Sequence, residues 1–291
     1  MSASIRHSVL YAQNFLKDPR LVAALLDQAG LVHDDTVYEI GPGKGVITEQ
    51  LARRYKHVIA IEKDPRLAAL LRQQFADRPN VTIHAGDFLS YPLPRQGYKV
   101  FANIPFNITS AIVSRLTTTT YPPVEAHLMM QREAAEMFLG EPRVSLRALL
   151  LKPWFELEIV HRFQRQDFTP APRVDVVMLR LRKRGPPLIN STDRQHFRDF
   201  VVSLFTRWQP SAPTALKSIF TRPQRKYIQR ALGFNPDVPP ASLPFEHWLK
   251  LFEYFKTVAT EQTRQRIGGS EQCLIQQQNK LQKVHRTRAT G

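Results

Sequence analysis

Asn103-Ile104-Pro105-Phe106 is the segment with the most distinctive chemistry. An amine on an aromatic ring is a poor nucleophile, because its lone pair is delocalised into the ring. Two acceptors aimed at its hydrogens would help the nitrogen pyramidalise and attack. The Asn103 side-chain oxygen and the Ile104 carbonyl, held by the fixed φ of Pro105, can supply them. Phe106 can stack on the ring that bears the amine and stabilise positive charge developing on the nitrogen. The plainer alternative is a proline turn with a core Phe. The turn follows a strand candidate, where an α/β sheet opens its substrate crevice, and that favours the chemical reading.

A second group lies upstream. Glu39-Ile40-Gly41-Pro42-Gly43-Lys44-Gly45 follows a strand candidate and opens a helix. Its glycines allow a sharp turn and a close approach by a ligand. The spacing excludes two familiar loops. A dinucleotide fingerprint needs Gly or Ala where Val46 stands, and a P-loop needs Ser or Thr where Gly45 follows Lys44. Taken alone, the loop is also compatible with a tight turn that binds nothing. Two carboxylates sharpen it. Glu62 ends the next strand, 21 residues past Gly41, and suits ribose hydroxyls. Asp87 follows the third strand beside Phe88; its carboxylate can accept from an adenine amino group while the ring stacks on the base. These residues imply an adenosine-type ligand with no phosphate cradle.

These groups need strand ends to hold them. Strands are predicted at Thr36–Ile40, His57–Glu62, Val81–Ala85, Lys99–Ala102 and His127–Met130. Helices are predicted at Val46–Tyr55, Pro65–Phe75, Thr109–Leu116 and Glu133–Leu139, after a first helix begun by Asp18-Pro19 and stopped by Gly30. The alternation predicts an α/β fold with a mostly parallel, Rossmann-like sheet covered on both faces. Phe155–Gln164 and Val174–Arg182 read as an antiparallel hairpin that finishes the sheet. Lys183–Pro187 reads as a linker. Beyond it Phe197, Phe200, Val201, Leu204, Phe205 and Trp208 share a helix face, with further helices near Ala212–Phe220, Pro223–Leu232 and Phe245–Thr257. The expected organisation is therefore a catalytic unit over residues 1–182, a small helical domain over 188–260, and a basic, disordered tail over 261–291.

The chain of 291 residues carries a net charge of +16. That excess argues for a polyanionic partner, with nucleic acid first, because phosphates reward scattered Lys and Arg through counterion release. The single cysteine, Cys273, excludes a disulfide framework and a cysteine-based zinc site, and no metal is expected. With no apolar leader and no run of spanning length, a cytoplasmic protein without membrane contact is expected. Arg222, Arg225, Lys226 and Arg230 share one helical face, opposite Ile228, Ala231 and Leu232. A phosphate-binding stripe and a merely solvated face stay equally open for them.

The pattern resembles the rRNA adenine N6-methyltransferases, which include the erythromycin-resistance (Erm) methylases and the KsgA-type dimethyladenosine transferases. Gln13-Asn14-Phe15-Leu16, the glycine loop, Gly86-Asp87-Phe88, Asn103-Ile104-Pro105-Phe106, and Phe168-Thr169-Pro170-Ala171-Pro172-Arg173-Val174-Asp175 match in order, and Gln131-Arg132-Glu133 also looks familial. The resemblance implies S-adenosylmethionine as cofactor and ribosomal RNA as partner. It implies that Asn14 and Leu16 close over the cofactor, Gly41 and Gly43 line its methionine end, Glu62 holds the ribose, and Asp87 with Phe88 the adenine. It implies that Asn103 and Phe106 hold the target adenine, with Phe168 as a second aromatic beside it. Asn-Ile-Pro-Phe looks closer to the Erm branch, which implies 23S rRNA and resistance to macrolides, lincosamides and streptogramin B. The KsgA branch implies small-subunit rRNA. An RNA-binding factor on an inactive scaffold and a small-molecule methyltransferase are the rivals; the intact site residues oppose the first and the charge the second.

Overall fold

The computed structural model describes residues 14–206, 216–233 and 239–288. Gln13, Trp208 and the first four residues of the helix expected at Ala212–Phe220 lie outside them. The chain divides into two compact units. One holds the described residues up to Glu136 together with Phe155–Gly185, and the other holds Met137–Trp154 and the described residues from Pro186 onward.

The first unit is built on β1 (Phe15–Leu16), α1 (Pro19–Gln28), β2 (Thr36–Ile40), α2 (Val46–Arg54), β3 (His57–Glu62), α3 (Pro65–Gln74), β4 (Val81–Ala85), β5 (Lys99–Asn103), α4 (Thr109–Thr118) and β6 (Glu125–Gln131). α5 (Arg132–Leu139) follows, its residues from Met137 counting with the second unit, and β7 (Phe155–Arg162), β8 (Phe168–Thr169) and β9 (Val176–Lys183) complete the first. Local chemistry sets the helix starts. Asp18 and Asp64 each accept from the backbone N–H two residues on, at 2.8 Å, and a proline opens each helix.

The seven-stranded sheet runs β4-β3-β2-β5-β6-β9-β7. Strands β2 to β6 pair in parallel, and β9 is antiparallel to both its neighbours. Alternate strand residues feed the two faces. Val37, Val58 and Phe101 join Leu25, Leu26 and Leu51 in one buried cluster, while Ala60 and Ile83 pack with Ala68, Leu71 and Phe75 of the α3 region. The expected hairpin forms, but β9 inserts beside β6 and leaves β7 at the edge. Burial explains the order. Val176 to Leu179 are all buried, as an inner strand requires, whereas β7 is mostly half-exposed. A separate two-stranded ladder pairs Phe15 with Thr169 and Leu16 with Phe168.

The second unit contains α6 (Leu146–Leu151), α7 (Arg194–Phe205), α8 (Arg222–Leu232), α9 (Phe245–Val258), α10 (Glu261–Ile267) and α11 (Ser270–Arg288). Its core is aromatic: Phe197, Phe200, Trp248, Phe252 and Phe255 are all 3% exposed or less. Two expectations need correction. Residues 137–154 leave the expected unbroken catalytic unit and pack with the helices. The tail expected to be disordered is helical over Glu261–Ile267 and Ser270–Arg288. Part of its anchor is ionic. Arg198 grips the Glu271 carboxylate through Nε, at 2.8 and 2.9 Å, and through Nη2. Asp199 accepts from the N–H groups of Gly269 and Glu271 at 3.1 and 2.9 Å. Reading disorder from a shortage of apolar residues misses such an anchor. Among the described residues no helix is long and apolar enough to cross a membrane.

Candidate active site

The strand order reverses between β2 and β5, and open α/β sheets bind ligands beyond the strand ends at such a point. The glycine loop leaves β2 there and Asn103-Ile104-Pro105-Phe106 leaves β5. Gly41, Gly43 and Gly45 have φ of +68°, +59° and +81°, values that L side chains rarely adopt. A Cβ on Gly41 would stand 4.0 Å from Cδ of Pro105, so loop and tetrapeptide face each other.

One small crevice, about 20 Å³, is lined by Asn14, Phe15, Gly41, Asn103, Ile104, Pro105 and Phe106. A second of similar size shares Phe15, Gly41 and Asn103 and adds Leu16, Glu39 and Lys44 among its walls. The structure thus brings together Asn14, Leu16, Gly41 and the whole tetrapeptide. Asn103 donates from Nδ2 to the Asn14 carbonyl at 2.6 Å, which leaves its Oδ1 as an acceptor. Ile104 donates its N–H to Met129 at 3.3 Å, which fixes the peptide that carries the second acceptor.

Glu62 is 3% exposed. Its two oxygens accept from the N–H groups of Gly43, at 3.1 Å, and Asp64, at 2.9 Å. The carboxylate therefore braces the glycine loop and still has lone pairs for a diol. Asp87 accepts from Lys63 at 2.7 Å and from Leu89 N–H at 2.9 Å. The Lys63 hydrogen bond, followed by that of Leu89, holds the Asp87 carboxyl below the usual range. Glu62, Asp87 and Phe88 line neither crevice.

Two of the expected aromatic rings are buried. Phe88 is 4% exposed. Phe168 is 1% exposed and meets Phe163 edge-on at 5.3 Å beside the ladder with β1. Both motifs place their aromatic next to a polar strand end, and packing turns the rings inward.

Three residues were missed in the sequence. Phe15 covers the glycine loop so closely that a Cβ on Gly43 would fall 2.3 Å from its ring. Lys63, next to Glu62 in sequence, is the partner of Asp87. Glu39 is 1% exposed and accepts from the Thr48 hydroxyl at 2.6 Å. Burial outweighs that bond and pushes the Glu39 carboxyl up to about 8. Acidic Glu39 opens the glycine motif and could have been flagged from that place alone.

The donor set fits an adenosine-type cofactor: a glycine backbone, a braced carboxylate for the ribose, and a second one for an amino group. The basic residues named from sequence lie on α8 in the other unit. Arg222, Lys226 and Arg230 are exposed; Arg225 is half-buried and donates to the Phe220 carbonyl at 2.7 Å.

Comparison with known proteins identifies the family. The profile of the family described as "Ribosomal RNA adenine dimethylase" matches residues 5–257. An "rRNA adenine N-6-methyltransferase" of Saccharopolyspora erythraea is 33% identical over 84% of this chain, which spans 64% of that relative's length. A "Ribosomal RNA small subunit methyltransferase A" of a Synechococcus species is 34% identical over 83% of this chain and 90% of that protein. The crystal structure of the 23S rRNA methyltransferase ErmE superposes with a TM-score of 0.76 at 32% identity, covering 84% of this chain and all of that one. The chain therefore belongs to the ribosomal RNA adenine dimethylase family, the rRNA adenine N-6-methyltransferases.

Proposed function

We propose that this protein uses S-adenosylmethionine to methylate N6 of an adenine in 23S rRNA, and so confers resistance to macrolides, lincosamides and streptogramin B. The observation that carries the reading is the meeting of Gly41 and Asn103–Phe106 around one crevice at the switch point of the sheet. The cofactor supplies a methyl group on a sulfonium sulfur. The chain's residues bind and orient. Gly41 and Gly43 would run along the methionine end, Glu62 would take the ribose hydroxyls and Asp87 the adenine amino group, with Asn14 and Leu16 closing over them. Asn103 Oδ1 and the Ile104 carbonyl would accept from the target amine while Phe106 stacks on its ring.

The 23S target is supported by the 32% likeness to ErmE, a 23S rRNA methyltransferase. The Synechococcus likeness favours a second reading, small-subunit rRNA. The catalytic role falls to the α/β unit, and RNA affinity to the helical unit and its basic α8, in a cytoplasmic monomer. Titration calorimetry with S-adenosylmethionine tests the cofactor assignment. Binding by the wild type and at least tenfold weaker binding by Asp87→Ala are expected. No binding by the wild type would leave an RNA-binding scaffold without catalysis.

A further inference from the structure

Tyr227 is 58% exposed on α8. It is the outer member of a ladder. Its ring stacks on Tyr254 of α9 at 5.1 Å and 28°, and Tyr254 stacks on Phe220 at 5.9 Å and 26°. Phe220 is 2% exposed and meets the buried Phe255 edge-on at 6.3 Å. The ladder thus runs from the aromatic core to solvent, and its outer ring is held in place from behind.

The setting of that ring is cationic. Lys226 precedes it and Arg230 lies one turn on, at i+3. Arg222 continues the exposed basic stripe, and α8 contains no acidic residue. None of Arg222, Lys226 and Arg230 forms an ion pair among the described residues. The helix is fixed at both ends. Thr221 N–H donates to the Gln224 side chain at 2.9 Å, and Gly233 closes it at φ +64°.

We infer that Tyr227 is a stacking platform for an unpaired RNA base, whose flanking phosphates lie on Arg222, Lys226 and Arg230. A fixed aromatic face beside a basic stripe is the arrangement that binds single-stranded nucleic acid, because every base has a π-face and every phosphate a charge. A protein partner would leave three uncompensated cations unless it were acidic. The inference rests on the RNA reading above and adds the class of RNA segment that the helical unit takes.

The test uses the full chain, a short single-stranded RNA and a fully paired RNA of the same length, with dissociation constants measured at several salt concentrations. Tyr227→Leu keeps an apolar cover over Tyr254 and removes the platform. It is expected to weaken single-strand binding by fivefold or more, to leave duplex binding unchanged, and to keep the salt slope. Tyr227→Phe is expected to bind like the wild type, and Lys226→Ala to weaken both RNAs and flatten the slope. Should Tyr227→Leu fail to fold, Tyr227→Gln gives the same readout. Unchanged single-strand binding, or equal losses on both RNAs, overturns the platform. If the wild type transfers methyl groups to rRNA in that case, the proposed function stands without it. A wild type that binds neither RNA overturns the platform, and one that also transfers no methyl group to rRNA overturns the proposed function.

Discussion

The α/β unit and the helical unit are held together by different means, and this shows which parts of the molecule tolerate change. Around the crevice, backbone geometry is decisive: positive-φ glycines, a proline, and peptide groups pinned by Glu62 and Met129. In the helical unit, side chains dominate: an aromatic core and the Arg198–Glu271–Asp199 network that holds α11. Substitution in the first should damage chemistry or ligand binding while the fold survives. Substitution in the second should damage stability.

The largest expected effect is on chemistry. Asn103→Ala removes an acceptor aimed at the amine and should lower methyl transfer by roughly 10³-fold, comparable to losing an oriented donor in other enzymes. Its melting temperature should stay near the wild-type value. A collapse in melting temperature would blur the contrast between the units. Arg198→Ala should do the reverse. The two side chains are 12% and 11% exposed, so an unpaired Glu271 would cost about 3 kcal/mol. Hydrogen exchange should then rise across α11, with cofactor affinity retained.

Gly43→Ala gives a smaller loss with two separable parts. An L residue in the left-handed region costs about 1–2 kcal/mol, and the new Cβ also drives Phe15 off the loop. Adding Phe15→Leu should recover the second part and leave the first, which a double-mutant cycle would show.

A further effect depends on pH. The Glu39 carboxyl is pushed up to about 8 from an ordinary 4.5. The protonated group's contribution to stability is therefore fully present below pH 4.5 and is lost as pH rises through about 8. Wild-type melting temperature should fall across that window relative to Glu39→Gln, in which the buried group cannot ionise. Parallel pH curves would show that Glu39 is ionised in the folded protein throughout.

Legibility in the sequence followed the same division. The strands and helices of the α/β unit stood out because buried parallel strands are short apolar runs and Asp-Pro pairs mark helix starts. The glycine loop, Glu62, Asp87 and the tetrapeptide showed themselves by falling at successive strand ends. What stayed hidden depends on distant partners. The two-residue strands β1 and β8 exist only through their pairing with each other. The insertion of β9 beside β6 was foreshadowed by its apolar run, but a hairpin pattern alone does not say which strand faces inward. Phe15 over Gly43, and the inward turn of Phe88 and Phe168, are packing outcomes. Residues 261–288 were misread because few apolar residues were counted where a buried ion pair carries part of the anchor. Short α6 was missed among its flanking prolines, Pro142 and Pro153.

Presentation of a 23S rRNA adenine amine to the cofactor's methyl group in this crevice can be read by labelling with tritiated S-adenosylmethionine, with naked 23S rRNA and small-subunit particles offered in parallel and the modified nucleotide mapped by primer extension. Label on one 23S adenine, carried at N6, is expected, with none for Asn103→Ala. Label on paired small-subunit adenines with none on 23S rRNA would contradict the target, and label on neither RNA would contradict the chemistry.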